Sequence, residues 1–343
     1  MKALEELSTI AETNILQMVP KIILDTVEEA ARARRFGRNL IKINDDLVRT
    51  KGRSIVIGRR GTLTAATVSE GTTCPATNFS YTSTTITPSK IGVASHITEE
   101  AIEGVELNLI QDVVTEAGIS LADKEDADII KALLGYTVAT LVANASTQDV
   151  SSSNTRKLVY VDETNASVLK VDYYNARIST TGAATITYWY STNTYFYDVA
   201  SACTLAYEDI VGAVADIKGR KWDPKFIVIH PANVGNILKS TMFIDASKYG
   251  SNQHIVTGEL GSISGLKVLS TTNMPSTGCA LVIDPSRAAW MAMRRTLDMK
   301  RWDNPATDAV ELYFYMEYGV AVSDQDALEI IVDFTPLSDK TLA

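Results

Sequence analysis

Residues 62–90 read TLTAATVSEGTTCPATNFSYTSTTITPSK, and residues 98–135 read TEEAIEGVELNLIQDVVTEAGISLADKEDADIIKALLG. The first stretch is rich in Thr and Ser, with Gly61, Gly71 and Pro75 as breakers. β-Branched residues between such breakers predict a long β-hairpin over 51–95. It holds too few apolar residues to bury its own surface, and an isolated two-stranded ribbon is marginal in water. It therefore needs another surface to lie on. The second stretch is the longest helical signal in the chain. Apolar residues recur at Ile102, Val105, Leu109, Val113 and Val114, then at Ile129, Ile130, Leu133 and Leu134. Thr98 is placed to cap the helix, with Glu99 and Glu100 in its first turn. Such a helix would span on the order of 55 Å, and Gly118 is where a kink is expected.

On the N-terminal side, residues 1–35 carry apolar residues at helical spacing, interrupted by Pro20, and 36–50 are less regular. Charge is concentrated here. Residues 32–60 contain ten Lys/Arg against Asp45 and Asp46, in a chain whose net charge is −9. The basic residues, Arg32, Arg34, Arg35 and Arg38 foremost, with Arg59 and Arg60, suit either phosphate neutralisation or salt bridging to the acidic remainder of another copy. The overall negative charge favours the contact between copies.

On the C-terminal side, residues 137–202 are poor in charge and hold seven of the fourteen tyrosines. KLVYVD with SVLKVD, and TITYWYS with TYFYDV, predict two β-hairpins with aromatic cross-strand pairs in an inserted β module. Residues 204–219 predict a helix capped by Thr204, with Leu205, Ile210, Val214 and Ile217 on one side. A buried strand over 225–230 ends at Pro231, and a helix follows over 233–238. Short strands are expected at 266–270, 279–283, 289–294, 297–302, 310–322 and 328–334.

Composition sets the limits. The chain has 343 residues, 45% of them hydrophobic and 21% charged, as in an ordinary globular protein with a substantial core. No apolar run is long enough to cross a membrane. The first residues carry acids where a secretion signal needs an apolar run, so none is expected. Cys74, Cys203 and Cys279 are widely spaced, which argues against a disulfide framework or a zinc site and for a reducing compartment. His96, His230 and His254 form no metal-ligand spacing, and no GxSxG occurs. Gly258, Gly261 and Gly265 read as a loop before a strand. The pairs Asp126/Asp128 and Asp324/Asp326 lack the pattern of a calcium loop and read as solvated faces. No catalytic, cofactor or metal site is expected.

The order of these elements, with a few local strings, resembles the major capsid proteins of tailed bacteriophages and archaeal tailed viruses, which share the Hong Kong 97 type fold. The strings are Thr204-Leu205 with Glu208, Asp209 and Ile210; Val228-Ile229-His230-Pro231 with Leu238; Gly265-Leu266-Lys267-Val268 before Met274-Pro275; and Leu281-Val282-Ile283-Asp284. The family frequently has Asn where His230 precedes Pro231. The resemblance covers most of 20–336 and leaves 137–202 without a counterpart.

It implies an α+β fold divided into an N-terminal arm (1–50), an E-loop (51–95), the spine helix of a P-domain (96–136), the inserted module (137–202), an A-domain (203–287) and closing strands (288–343). It implies a non-enzymatic subunit without cofactors that assembles with itself, as pentamers and hexamers, into an icosahedral virion shell around double-stranded DNA. Assembly would take place in the host cytoplasm, with portal, scaffolding and decoration proteins as further partners and no membrane. The six arginines named above would be its assembly or genome-facing residues. Alternatives are an encapsulin-type nanocompartment shell, a soluble α/β hydrolase, and a surface adhesin built on the Tyr-rich module.

Overall fold

The computed structural model describes residues 35–49, 52–61, 65–74, 78–98, 109–143, 147–150, 157–161, 168–172, 174–180, 184–191, 193–199, 205–239, 262–274, 279–304 and 307–332, with positions 63, 76 and 100. The arm's helical reading over 1–34, Thr204, His254 and the stretch 240–261 lie outside the described residues.

The frame is a long helix on a long sheet. Helix α2 (Leu109–Leu134), which follows the short α1 (Asp46–Arg49), has 26 residues and so runs about 39 Å without a break at Gly118. Its buried stripe includes Val114, Leu121, Ile129, Ile130 and Leu133. It packs on a four-stranded sheet ordered β1-β16-β17-β4, made of β1 (Lys42–Asn44), β16 (Ala289–Asn304), β17 (Ala309–Val322) and β4 (Ser89–Thr98). The period of two along β17 turns Leu312, Phe314, Met316 and Tyr318 into the core and Glu311, Tyr313, Tyr315 and Glu317 to the other face. Gly92 on β4 admits the Tyr315 ring, because a Cβ there would stand 2.6 Å from it.

The second frame is a six-stranded mixed sheet ordered β11-β18-β15-β12-β14-β13. Its members are β11 (Phe196–Asp198), β12 (Phe226–Ile229), β13 (Ser262–Ile263), β14 (Leu266–Ser270), β15 (Cys279–Ile283) and β18 (Leu328–Val332). β15 and β18 are buried along their whole length. Alternate residues supply two cores, as strands covered on both faces must. Leu281, Ile283, Leu328 and Ile330 join the core of α2, while Ala280, Val282 and Ile331 face Ile210, Val214 and Ile217 of α3 (Tyr207–Gly219). Helix α4 (Pro231–Lys239) follows β12. The tight β13–β14 turn places Ser264 and Gly265 at φ 50° and 83°, the mirror-type turn for which glycine is suited, so this glycine serves a turn.

Several expectations are corrected. The predicted 51–95 hairpin is two things. β2 (Ile55–Arg60) pairs with β3 (Tyr81–Ile86), but residues 89–98 leave the ribbon as β4 and pair along β17. Thr98 is thus the last residue of a strand. The two expected hairpins within 137–202 do not form. β7 (Lys157–Val161) pairs with β10 (Ala184–Ser191), which also pairs with β5 (Tyr136–Ala143). β8 (Val168–Asp172) and β6 (Thr147–Asp149) both pair with β9 (Arg177–Thr180), and β11 joins the six-stranded sheet. Strand pairing here follows the burial of Leu158, Val161, Ile178, Ile186 and Tyr188 in the same core as α2, a constraint that local hairpin signals do not carry. Ala206 stands at the cap position of helix α3, and its N–H donates to the Asp209 carboxylate at 3.0 Å. The two strands expected at 289–294 and 297–302 are one strand with irregular register between Met293 and Asp298.

Because Leu158 lies in the shared core, Leu158→Ala is expected to destabilise the whole subunit by about 2–5 kcal/mol in one cooperative transition. Chemical unfolding followed by both tryptophan fluorescence and far-UV circular dichroism checks it. Two separated transitions would show a module with its own core.

Candidate assembly surfaces

The ribbon carries little burial of its own. Leu47, Ile86 and Ala292 form a small core at its base, joined by Ile55, Ile57 and Trp290. On the other face of the strand Val56 is 61% exposed, and farther out Tyr81 is 68% exposed, with Leu63, Val68 and Phe79 also facing solvent. Phe79 and Tyr81 meet edge to face at 5.0 Å. Large apolar side chains held out on a two-stranded ribbon point to a surface that finishes its burial elsewhere.

The basic residues fall into distinct settings. Arg32 and Arg34 lie outside the described residues. Arg35 and Arg38 close on Glu125, a carboxylate with no exposed side-chain surface in the middle of α2, at 3.1 Å and 2.5 Å. Arg38 adds a second contact from Nη2 to Glu125 Oε2 at 3.1 Å, making the pair bidentate. Beside it, Asp126 accepts from the backbone N–H groups of Phe36 at 3.2 Å and Gly37 at 3.0 Å. Gly37 is needed there, since a Cβ would stand 2.7 Å from Asp126 Oδ1. Burial pushes Asp126 up to about 6, against the two N–H bonds that favour its charged form. Asp128 accepts from Tyr318 Oη at 3.0 Å and from Lys124 Nζ at 2.7 Å, and burial raises the phenol of Tyr318. Asp126 and Asp128 thus anchor the arm and the sheet, and Asp126 is no solvated face.

Arg59 bridges from the ribbon to Asp324 at 3.0 Å and Asp326 at 2.5 Å; Arg60 is exposed at the strand end. Asp324, raised by burial, also accepts from the Asp326 N–H. Arg220 pairs with the buried Glu329 at 2.7 Å and lies over Tyr195 at 4.0 Å. Sequence reasoning missed Glu125 and Glu329, and it read Asp126 and Asp324, both buried, as solvated faces. An acid at an otherwise apolar helix or strand position was the available signal.

Of the aromatics in 137–202, Tyr188 is buried, while Trp189 and Tyr190 pack against the core. His96 lies 3.5 Å from Glu311, and His230 Nδ1 accepts from the Ala232 N–H at 3.2 Å, which caps α4. Among the described residues no three potential metal ligands cluster, and no helix is long and apolar enough to cross a membrane.

This architecture is that of known viral shell proteins. The chain superposes on a cyanophage P-SCSP1u capsid structure with a TM-score of 0.60 at 11% identity, over 87% of this chain and 88% of that one. It superposes on a Mycobacterium phage Che8 structure at 0.59 and 12% identity, over 88% and 92%. A virus-like particle from Pyrococcus furiosus gives 0.51 at 10% identity, over 91% and 98%. At such identities the likeness is one of fold. No curated protein matches the sequence. The family follows from the sequence itself: residues 81–331 match the phage capsid protein family, and the chain belongs to it. It is a structural shell protein of the virion, with a mixed α+β fold.

The Asp126 setting gives a pH dependence of stability. The folded protein holds this proton up to about pH 6, whereas the unfolded chain releases it near the ordinary carboxylate value of 3.8, so this group's contribution is fully present below 3.8 and is lost as pH rises through 6. In Asp126→Asn, unfolding free energies measured from pH 4 to 7 are expected to fall less steeply with pH than in the wild type. Glu125→Gln leaves Arg35 and Arg38 without their charge partner and is expected to cost on the order of 3 kcal/mol by denaturant melts.

Proposed function

We propose that this capsid protein is the major subunit of an icosahedral shell that closes around double-stranded DNA, with the Hong Kong 97 type fold. In this reading 1–50 is the arm, 51–95 the E-loop, 96–136 the spine helix, 137–202 an inserted module on the outer face, 203–287 the A-domain, and 288–343 the closing strands. Portal, scaffolding and decoration proteins are its further partners, and the host cytoplasm is the site of assembly. The observation that carries the reading is the ribbon: Val56, Tyr81, Phe79 and Leu63 are exposed on an element that its own subunit leaves half-finished. A neighbour's surface completes that burial, and repeated heterologous contacts that close on symmetry make a shell. The likeness to a Pyrococcus furiosus virus-like particle keeps an encapsulin-type compartment as the second reading.

The basic segment then divides by setting. Arg35 and Arg38 shape the arm by holding it to α2, and Arg59 holds the ribbon base. Arg32, Arg34 and Arg60 serve contacts between subunits and with the packaged genome.

Electron microscopy of the concentrated protein, alone and with candidate helper proteins, is expected to show closed hollow particles. A compact monomer under all conditions would refute the reading. The triple variant Arg32→Ala, Arg34→Ala, Arg60→Ala is expected to fold normally and yield fewer, less salt-resistant particles, because small losses multiply over many interfaces. DNA retained after nuclease treatment separates a genome-filled capsid from an empty or protein-filled compartment.

A further inference from the structure

A cleft of about 490 Å³ opens beside the ribbon, lined by ribbon residues 57–60 and by the turn residues 220–222, 286 and 287. Six cations line it, Lys42, Arg59, Arg60, Arg220, Lys221 and Arg287, against Asp324 and Asp326. Arg59 and Arg220 are engaged by acids of their own subunit. Lys42, Arg60, Lys221 and Arg287 are exposed and make no ion pair among the described residues. Two indoles hold two of them in place: Lys42 lies over Trp290 at 5.3 Å and Arg287 over Trp222 at 5.5 Å. Lys221 is fixed at φ 71°, in the turn that ends α3. The result is a concave, preorganised cationic site.

The chain also carries the matching anion. Residues 97–123 hold seven acids and no Lys, Arg or His, and four of the acids, Glu99, Glu100, Glu103 and Glu106, fall within 99–106. This acid block starts beside Thr98, which pairs with Ala309 at one end of the four-stranded sheet. The cleft lies past Val322, at the opposite end of β17, whose 14 residues set Thr98 and the cleft on the order of 40 Å apart. Glu100, two residues beyond Thr98, cannot reach the cleft of its own chain.

We propose that the cleft receives the acidic segment 99–106 of a second copy of this chain, in a head-to-tail contact. The proposal rests on the capsid reading and deepens it by naming the charged surfaces that set the order of subunits. An acid block that begins at Thr98, at the far end of the sheet from the cleft, joins copies in one direction only, as a heterologous contact requires. Carboxylate side chains suit the site better than nucleic acid does. Trp222 and Trp290 already carry cations on their rings, whereas base stacking needs an open ring face. A duplex also presents its phosphates on a convex surface.

The test is a charge swap in the full-length chain. The cleft variant carries Lys221→Glu and Arg287→Glu; the block variant carries Glu100→Lys and Glu103→Lys; a third chain carries all four. Each pair alone is expected to cut particle yield at least tenfold while leaving the far-UV spectrum and melting temperature of the monomer near wild type. The four-fold variant is expected to recover most of the yield, since every contact then joins a reversed cleft to a reversed block. Should the cleft variant misfold, Lys221→Gln with Arg287→Gln is expected to lower the salt concentration at which particles dissociate. Normal yield from both pairs, or no recovery in the four-fold chain, overturns the inference and leaves the capsid reading standing. Normal shells from the cleft variant that retain less DNA would assign the cleft to the genome and also overturn it. A wild-type chain that never assembles would remove the capsid reading, and the inference with it.

Discussion

Glu125 sits fully buried on the long helix that packs into the main core, and a carboxylate in that place needs cations to be tolerable. Arg35 and Arg38 supply them, and in doing so fix where the arm crosses the helix. Asp126 then takes the N–H groups of Phe36 and Gly37, so that Leu40 and Ile41 drop into the core and β1 lines up beside β16. The path of the chain into the ribbon follows from that alignment. Replacing the charges with apolar side chains would suit the core as well, but would not tell the arm where to cross.

The polar pairs farther out continue the same logic. Arg59 links the ribbon base to the turn before β18, and Arg220 links the end of α3 to Glu329 within it. Arg59 thereby ties the ribbon, whose apolar contacts are sparse, to the turn that leads into a strand buried on both faces. The ribbon is held at its root and left free of contacts along much of its outer surface. A subunit that must fold before it meets its neighbours has use for both properties.

Much of this was legible in the sequence where one period ruled a segment. Ile210, Val214 and Ile217 form the buried side of α3, with Leu205 buried just ahead of it, and 266–270 and 279–283 are strands to the residue. The ribbon was legible as an element short of apolar surface. The pairing within 137–202 was not. Hairpin signals are local, whereas β10 lies between β5 and β7 because Ile186 and Tyr188 complete a core built by α2, and no neighbouring residue records that. Long-range acid–base contacts were hidden for the same reason. The run Arg32–Arg38 looked like a single basic patch, yet Arg35 and Arg38 answer one acid 87 to 90 positions away.

The six-stranded sheet has its last strand in an interior place: β18 separates β11 from β15, and its partners lie some fifty to more than a hundred positions earlier in the chain. β1 and β4 likewise wait for β16 and β17. On a ribosome, which delivers the chain from its N-terminus, the four-stranded sheet cannot close until residue 322 has emerged, nor the six-stranded sheet until residue 332. Synthesis itself thus acts as a timer. A half-made chain has a ribbon but no completed root to hold it, so subunits become competent to join a growing lattice only as finished molecules.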